Sequence, residues 1–157
     1  MKEKLLVLRA EIQADLQAIE EIYAALDRKW SELDGEDERI VVAYYLHNLY
    51  SAFESIFQRI AEVFGNHVSE RAGWHADLLR RMKLEVPGMR PRVIGDEAYD
   101  CLDELRRFRH LFRGAYRLHL DPDRLRIVQN KAQRLRAIYP SDLGRFMAFV
   151  EELLRAA

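Results

Sequence analysis

The chain has 157 residues, 49% of them apolar and 32% charged, with a formal net charge of −1. A chain of this length buries roughly 68–70% of the surface its unfolded form exposes, so the composition excludes disorder and points to one domain over residues 1–157. The near-zero net charge excludes a uniformly basic polyanion binder, and the single cysteine, Cys101, excludes an internal disulfide and suits the cytoplasm.

The opening MKEKLLVLRAEIQADL has too short an apolar run for a signal peptide, and Glu11 and Asp15 soon follow. Leu5, Leu8, Ile12, Leu16, Ile19, Tyr23, Leu26 and Trp30 recur at three- and four-residue steps, which predicts one long amphipathic helix. Gly35 is placed to cap its carboxyl end. A second helix is expected over residues 36–64, apolar around more than half its circumference and therefore central. GNHVSERAG reads as a loop, and a short helix follows over residues 74–82. VPGMRPRVIGD, with two prolines and two glycines, is a connection. A fourth helix is expected over residues 96–119. DPDRL restarts the chain, with Asp121 as N-cap and Pro122 at the first helical position, into a fifth helix over 122–138. YPSDL repeats that signal before a sixth helix over 141–155. No segment has strand period and none is apolar enough to span a membrane. The expected fold class is all-α, an up-down bundle of five to six helices.

Charge is unevenly spread along these elements. Residues 1–40 carry six Lys/Arg against eleven Asp/Glu, whereas residues 101–136 carry ten against four. Such faces either solvate helices or meet phosphate or an acidic partner. The basic excess centres on RRFRHLFRGAY, residues 106–116. On a helical wheel Leu105, Phe108, Phe112, Ala115 and His119 share the core side, with Arg109 and Tyr116 half covered at its edge. Arg106, Arg113 and Arg117 fan out beside them. Arg106, Arg107, Arg109, Arg113 and Arg117 repel one another unless an anion or carboxylates lie nearby. A salt bridge to another helix answers that need, and so does a phosphate, whose oxygens match guanidinium forks. Gly114 costs roughly 1 kcal/mol against alanine inside a helix. It allows close helix or subunit approach, marks a bend, or stands where a functional side chain would be.

Three stretches together resemble HepT-like proteins of the HEPN superfamily. They are YYLHNLYSAFESIFQRIA (44–61), GWHADLLRRM with the following RPRVI, and FRHLFRGAYRLHLD (108–121). The family motif is Arg, four residues, His, one residue, Tyr. Arg109 matches the arginine and Tyr116 the tyrosine, but the histidine position holds Gly114. The resemblance implies an HEPN-like bundle that forms a homodimer with facing motifs, and a toxin of a prokaryotic toxin–antitoxin pair that cleaves RNA without a metal. It implies an antitoxin partner resembling a minimal nucleotidyltransferase, which transfers AMP to the tyrosine, here Tyr116. Arg109 would stabilise charge on the phosphorane. Arg106, Arg113 and Arg117 would bind RNA phosphate. The missing acid/base would come from elsewhere, with His110, one turn before Gly114, as the possible substitute.

The other histidines, His47, His67, His75 and His119, are dispersed, and no grouping has metal-ligand spacing. No cofactor is expected. Glu20, Glu21, Glu151 and Glu152 read as solvated faces able to pair with the basic helix. Tyr44, Tyr45, Phe57 and Trp74 read as core. Asn48 and Glu54, on the second helix, are placed to orient Arg109. Two further readings stay open: a catalytically inactive HEPN module that binds the nucleotidyltransferase-like partner, and a bundle that assembles through its first helix.

Overall fold

The computed structural model describes residues 1–65, 69, 71–114 and 119–157. Five helices follow in chain order: α1 (Lys2–Asp27), α2 (Glu36–Val63), α3 (Trp74–Met82), α4 (Asp96–Gly114) and α5 (Pro122–Ala156). Among the described residues the only pairing of strand type is an isolated bridge between Val86 and Arg90. The fold of the described residues is an all-α helical bundle. No helix among the described residues is long and apolar enough to cross a membrane.

The stripe read from the sequence is the buried face of α1: Leu5, Leu8, Ile12, Ile19, Tyr23 and Leu26. It packs chiefly on α2. α2 touches all four other helices, which is why its apolar positions run most of the way round. Its buried set includes Leu46, Leu49, Tyr50, Phe53, Phe57 and Ile60. Of the aromatics assigned to the core, Phe57 is fully buried and Tyr45 and Trp74 partly so, but Tyr44 is 54% exposed. The acidic side chains of α1 pair with Arg59 on α2, through Glu11 at 2.9 Å and Asp15 at 3.2 Å. Glu151 pairs with Arg9, so it serves α1 and not the basic helix.

Three boundaries differ from the sequence expectation. α1 ends at Asp27, and Gly35 is instead the extended N-cap of α2. α4 is described as far as Gly114, and His119 lies outside any helix and is exposed. It therefore does not join the core side that an unbroken helical wheel assigned it. Finally, the fifth and sixth helices are one. α5 passes through Pro140 because its buried positions continue in step across it, from Leu135 through Tyr139 and Leu143 to Phe146 and Val150. Burial of each large apolar side chain contributes about 1.5–3 kcal/mol. Together they outweigh the roughly 3 kcal/mol that an interior proline costs. The restart at DPDRL does occur, with the Asp121 side chain accepting from the Asp123 N–H at 3.0 Å.

Asp142, within the YPSDL stretch that does not restart the chain, has a different task. It is buried, and its Oδ2 accepts from the Gly95 N–H at 2.9 Å, just before α4 begins. A carboxylate there satisfies a free amide and favours the positive end of the helix dipole. The connection from α3 is held in a complementary way. The buried Arg90 guanidinium donates to the carbonyls of Arg81, Leu84 and Pro91, and Met82 accepts from the amides of Val93 and Ile94. α4 thus starts from a fixed point, which sets where its basic half ends up. Pro140 itself is exposed. Pro140→Ala is expected to restore one helical hydrogen bond and stabilise the fold by about 1–3 kcal/mol in urea denaturation.

Candidate anion-binding cleft between two helices

Helical spacing sends Leu105 and Phe108 into the core and turns Arg109, one residue on, toward α2 and α3. Arg109 is 7% exposed, so it is buried and not half covered. Its Nη2 donates to Glu54 Oε1 at 3.1 Å, and its Nη1 donates to Ser51 Oγ at 3.1 Å. The guanidinium carbon lies 5.2 Å from the centre of the Tyr50 ring. Glu54, Ser51 and Tyr50 share one face of α2 at three- and four-residue steps. Of the two residues placed to orient Arg109, Glu54 does so. Asn48 pairs instead with His47, at 3.3 Å, and Ser51 takes the place expected for it.

A third partner was not singled out by the sequence reading. His75, on the first turn of α3, brings Nδ1 to 2.8 Å from Glu54 Oε2 and 2.9 Å from Arg109 Nη2. One ring nitrogen cannot serve both as a donor to the carboxylate and as an acceptor from the guanidinium. Glu54 Oε2 has no other donor among the described residues, whereas Arg109 Nη2 already has Glu54 Oε1. We therefore assign the proton to Nδ1, donated to Glu54. Only the histidine of GWHADL, directly after a glycine loop, hinted at this residue. Its meeting with α2 and α4 requires the packing of three helices.

Above this buried group lies a cleft walled by Gly73, His75 and Ala76 on the amino end of α3 and by Arg106, Arg109, His110 and Arg113 on α4. The carboxylates that the arginine cluster requires are partly present. Asp103 accepts from Arg106 at 2.9 Å and from Arg107 at 2.6 Å. Burial opposes charge on Asp103, but the Arg107 and Arg106 hydrogen bonds prevail and hold its carboxyl below the usual range. Arg113 and His110 form no hydrogen bond or ion pair with a described residue, and both are exposed. The cleft therefore keeps positive charge that its own carboxylates leave unmatched. The neighbouring His47, its ring tilted against Phe112 with centroids 5.5 Å apart, is held below the ordinary histidine range. Burial does most of this, and the Arg109 and Arg113 charges add to it against the Asn48 hydrogen bond.

Gly114 is exposed, and a Cβ built on it meets no described atom within 4 Å. Close approach of another helix of this chain therefore does not require the glycine, and the position accepts a side chain. Tyr116, Arg117 and His67 lie outside the described residues. The structure thus brings Arg106, Arg109, His110 and Arg113 to one cleft, adds His75 to them, and leaves His119 apart.

A family model described as HepT-like protein matches residues 41–150. That segment contains every residue of the cleft, and α1 falls outside it. Comparison with curated proteins and with solved structures returned no match.

The Arg109 and Glu54 side chains are 9% and 6% exposed. Removing one partner of such a pair strands the other charge away from water. Glu54→Ala is expected to destabilise the fold by about 3–5 kcal/mol in urea denaturation. Adding Arg109→Met to it should cost less than the sum of the two single changes.

Proposed function

The chain belongs to the HepT-like family, and from that premise we propose that it is the toxin-side component of a toxin–antitoxin pair. In this reading it binds RNA in the cleft between α3 and α4 and cleaves it without a metal. The observation that supports this most directly is the unmatched positive charge of Arg113 at the rim of the cleft, with His110 beside it and Arg109 held by Glu54 at its base. A phosphodiester is the ligand such an arrangement suits. Guanidinium forks pair with its non-bridging oxygens. A fixed arginine also stabilises the extra charge that develops when a ribose 2′-oxygen attacks phosphorus. Because Glu54 already orients Arg109, little reorganisation is needed when a phosphate arrives.

In the same proposal two copies pair so that their clefts face each other across a groove. Tyr116, two residues past Gly114 in the chain, is the acceptor of AMP from a nucleotidyltransferase-like antitoxin. A nucleotide attached there adds phosphate charge close in sequence to Arg113 and Arg117, which would hold it and block the groove.

Gly114 supports a second reading. A groove without the family histidine suits an inactive HEPN module that keeps its RNA- or partner-binding surface. Labelled RNA incubated in chelator with the native chain, Arg109→Ala and Gly114→His separates the two. The expected result is cleavage by the native chain that falls by about 10²-fold or more with Arg109→Ala. Cleavage by Gly114→His alone would favour the inactive module. No binding and no cleavage by any of the three would end the nuclease reading. Arg113→Ala, which breaks no ion pair within the described residues, is expected to weaken RNA binding while leaving the urea midpoint unchanged. It should also lower the salt slope of binding by about one counterion.

A further inference from the structure

The geometry points to His75 as the proton acceptor of this cleft, supplying from α3 the acid/base function that Gly114 cannot. This rests on the nuclease reading above.

Three observations carry it. The ring is anchored on one side only. Nδ1 is 2.8 Å from Glu54 Oε2, while Nε2 forms no hydrogen bond with any described residue. A carboxylate on Nδ1 fixes the tautomer in which Nε2 is the basic atom and stabilises the imidazolium once it forms. The ring is also held in place by stacking on Trp74, with centroids 3.7 Å apart. Finally, His75 is 26% exposed and borders the same cleft as Arg106, Arg109 and Arg113. His110 borders that cleft as well, but nothing among the described residues orients it. Glu54 is thus shared between the proton acceptor, through Oε2, and the charge-stabilising arginine, through Oε1. One carboxylate on α2 places the two groups relative to each other.

The step balances without oxidant or reductant. His75 Nε2 takes the proton of a ribose 2′-hydroxyl. The 2′-oxygen forms a bond to the adjacent phosphorus as the bond from phosphorus to the 5′-oxygen breaks. The leaving 5′-oxygen takes a proton from water, and the imidazolium returns its own to solvent. The products are a 2′,3′-cyclic phosphate and a 5′-hydroxyl.

The titratable and charged groups that face the imidazole are Glu54 from α2 and Arg106, Arg109, His110 and Arg113 from α4. The test is cleavage of labelled RNA in chelator from about pH 5 to 9 by the native chain and by His75→Gln, with binding of the same RNA read by fluorescence anisotropy. Expected is a loss of about 10²-fold or more in cleavage, disappearance of the acid limb of the pH profile, and binding changed by less than about threefold. Added imidazole should partly restore cleavage to His75→Ala. Unchanged cleavage by His75→Gln overturns the assignment and leaves the nuclease reading standing. RNA bound but never cleaved by the native chain overturns both. Long-range proton–nitrogen correlation spectra of the native protein need no variant. They should show the proton of the neutral His75 ring on Nδ1, and a proton on Nε2 instead overturns the assignment.

Discussion

The guanidinium of Arg109 and the carboxylate of Glu54 meet 3.1 Å apart in a place from which water is almost fully excluded. Two buried charges of this kind are expensive to bring out of water, and the pair is tolerable only when its remaining donors and acceptors are also met. Here they are met by Ser51 and His75. The network therefore joins α2, α3 and α4 through directional contacts. Apolar packing between the same helices would allow them to slide or rotate; the hydrogen bonds permit one register. The placement of every cationic group in the cleft follows from that register.

The rest of the fold supports the same arrangement. Asp142 holds the start of α4 against α5, and Arg90 closes the end of α3 with three carbonyl contacts. These are buried or half-buried polar groups used as fixed points, whereas the ion pairs on the outside of α1 and α5 contribute little to stability. Within the basic half of α4, charge is sorted by depth. Arg109 is neutralised by Glu54 below the cleft, Arg106 and Arg107 by Asp103 along its edge, and Arg113 remains at the rim. The sorting leaves the attraction for an anion where solvent and ligand can reach it.

Gly114 and the buried network are different parts of this site. No hydrogen bond of the Arg109–Glu54–His75 network involves Gly114, so the arrangement of these side chains does not depend on the residue at 114. Open space beyond that glycine means that a side chain at 114 meets no steric obstacle among the described residues.

Period and local chemistry determined much of this protein from the sequence alone. The three- and four-residue recurrence of α1 and α2, the Asp-Pro start of α5 and the Pro/Gly-rich turn after α3 follow from backbone geometry and amphipathicity, which act over a few residues. The basic stripe of α4 was legible for the same reason, as was the placing of Glu54 on a helix able to face it. Tertiary structure decided the rest. Whether Pro140 ends a helix depends on what Leu135, Tyr139 and Leu143 bury against, and burial outweighed the local signal. Whether Arg109 is half exposed or enclosed depends on α2 and α3 closing over it. His75 looked like one histidine among five because contacts between residues 21 and 34 positions apart leave no periodic trace in the chain.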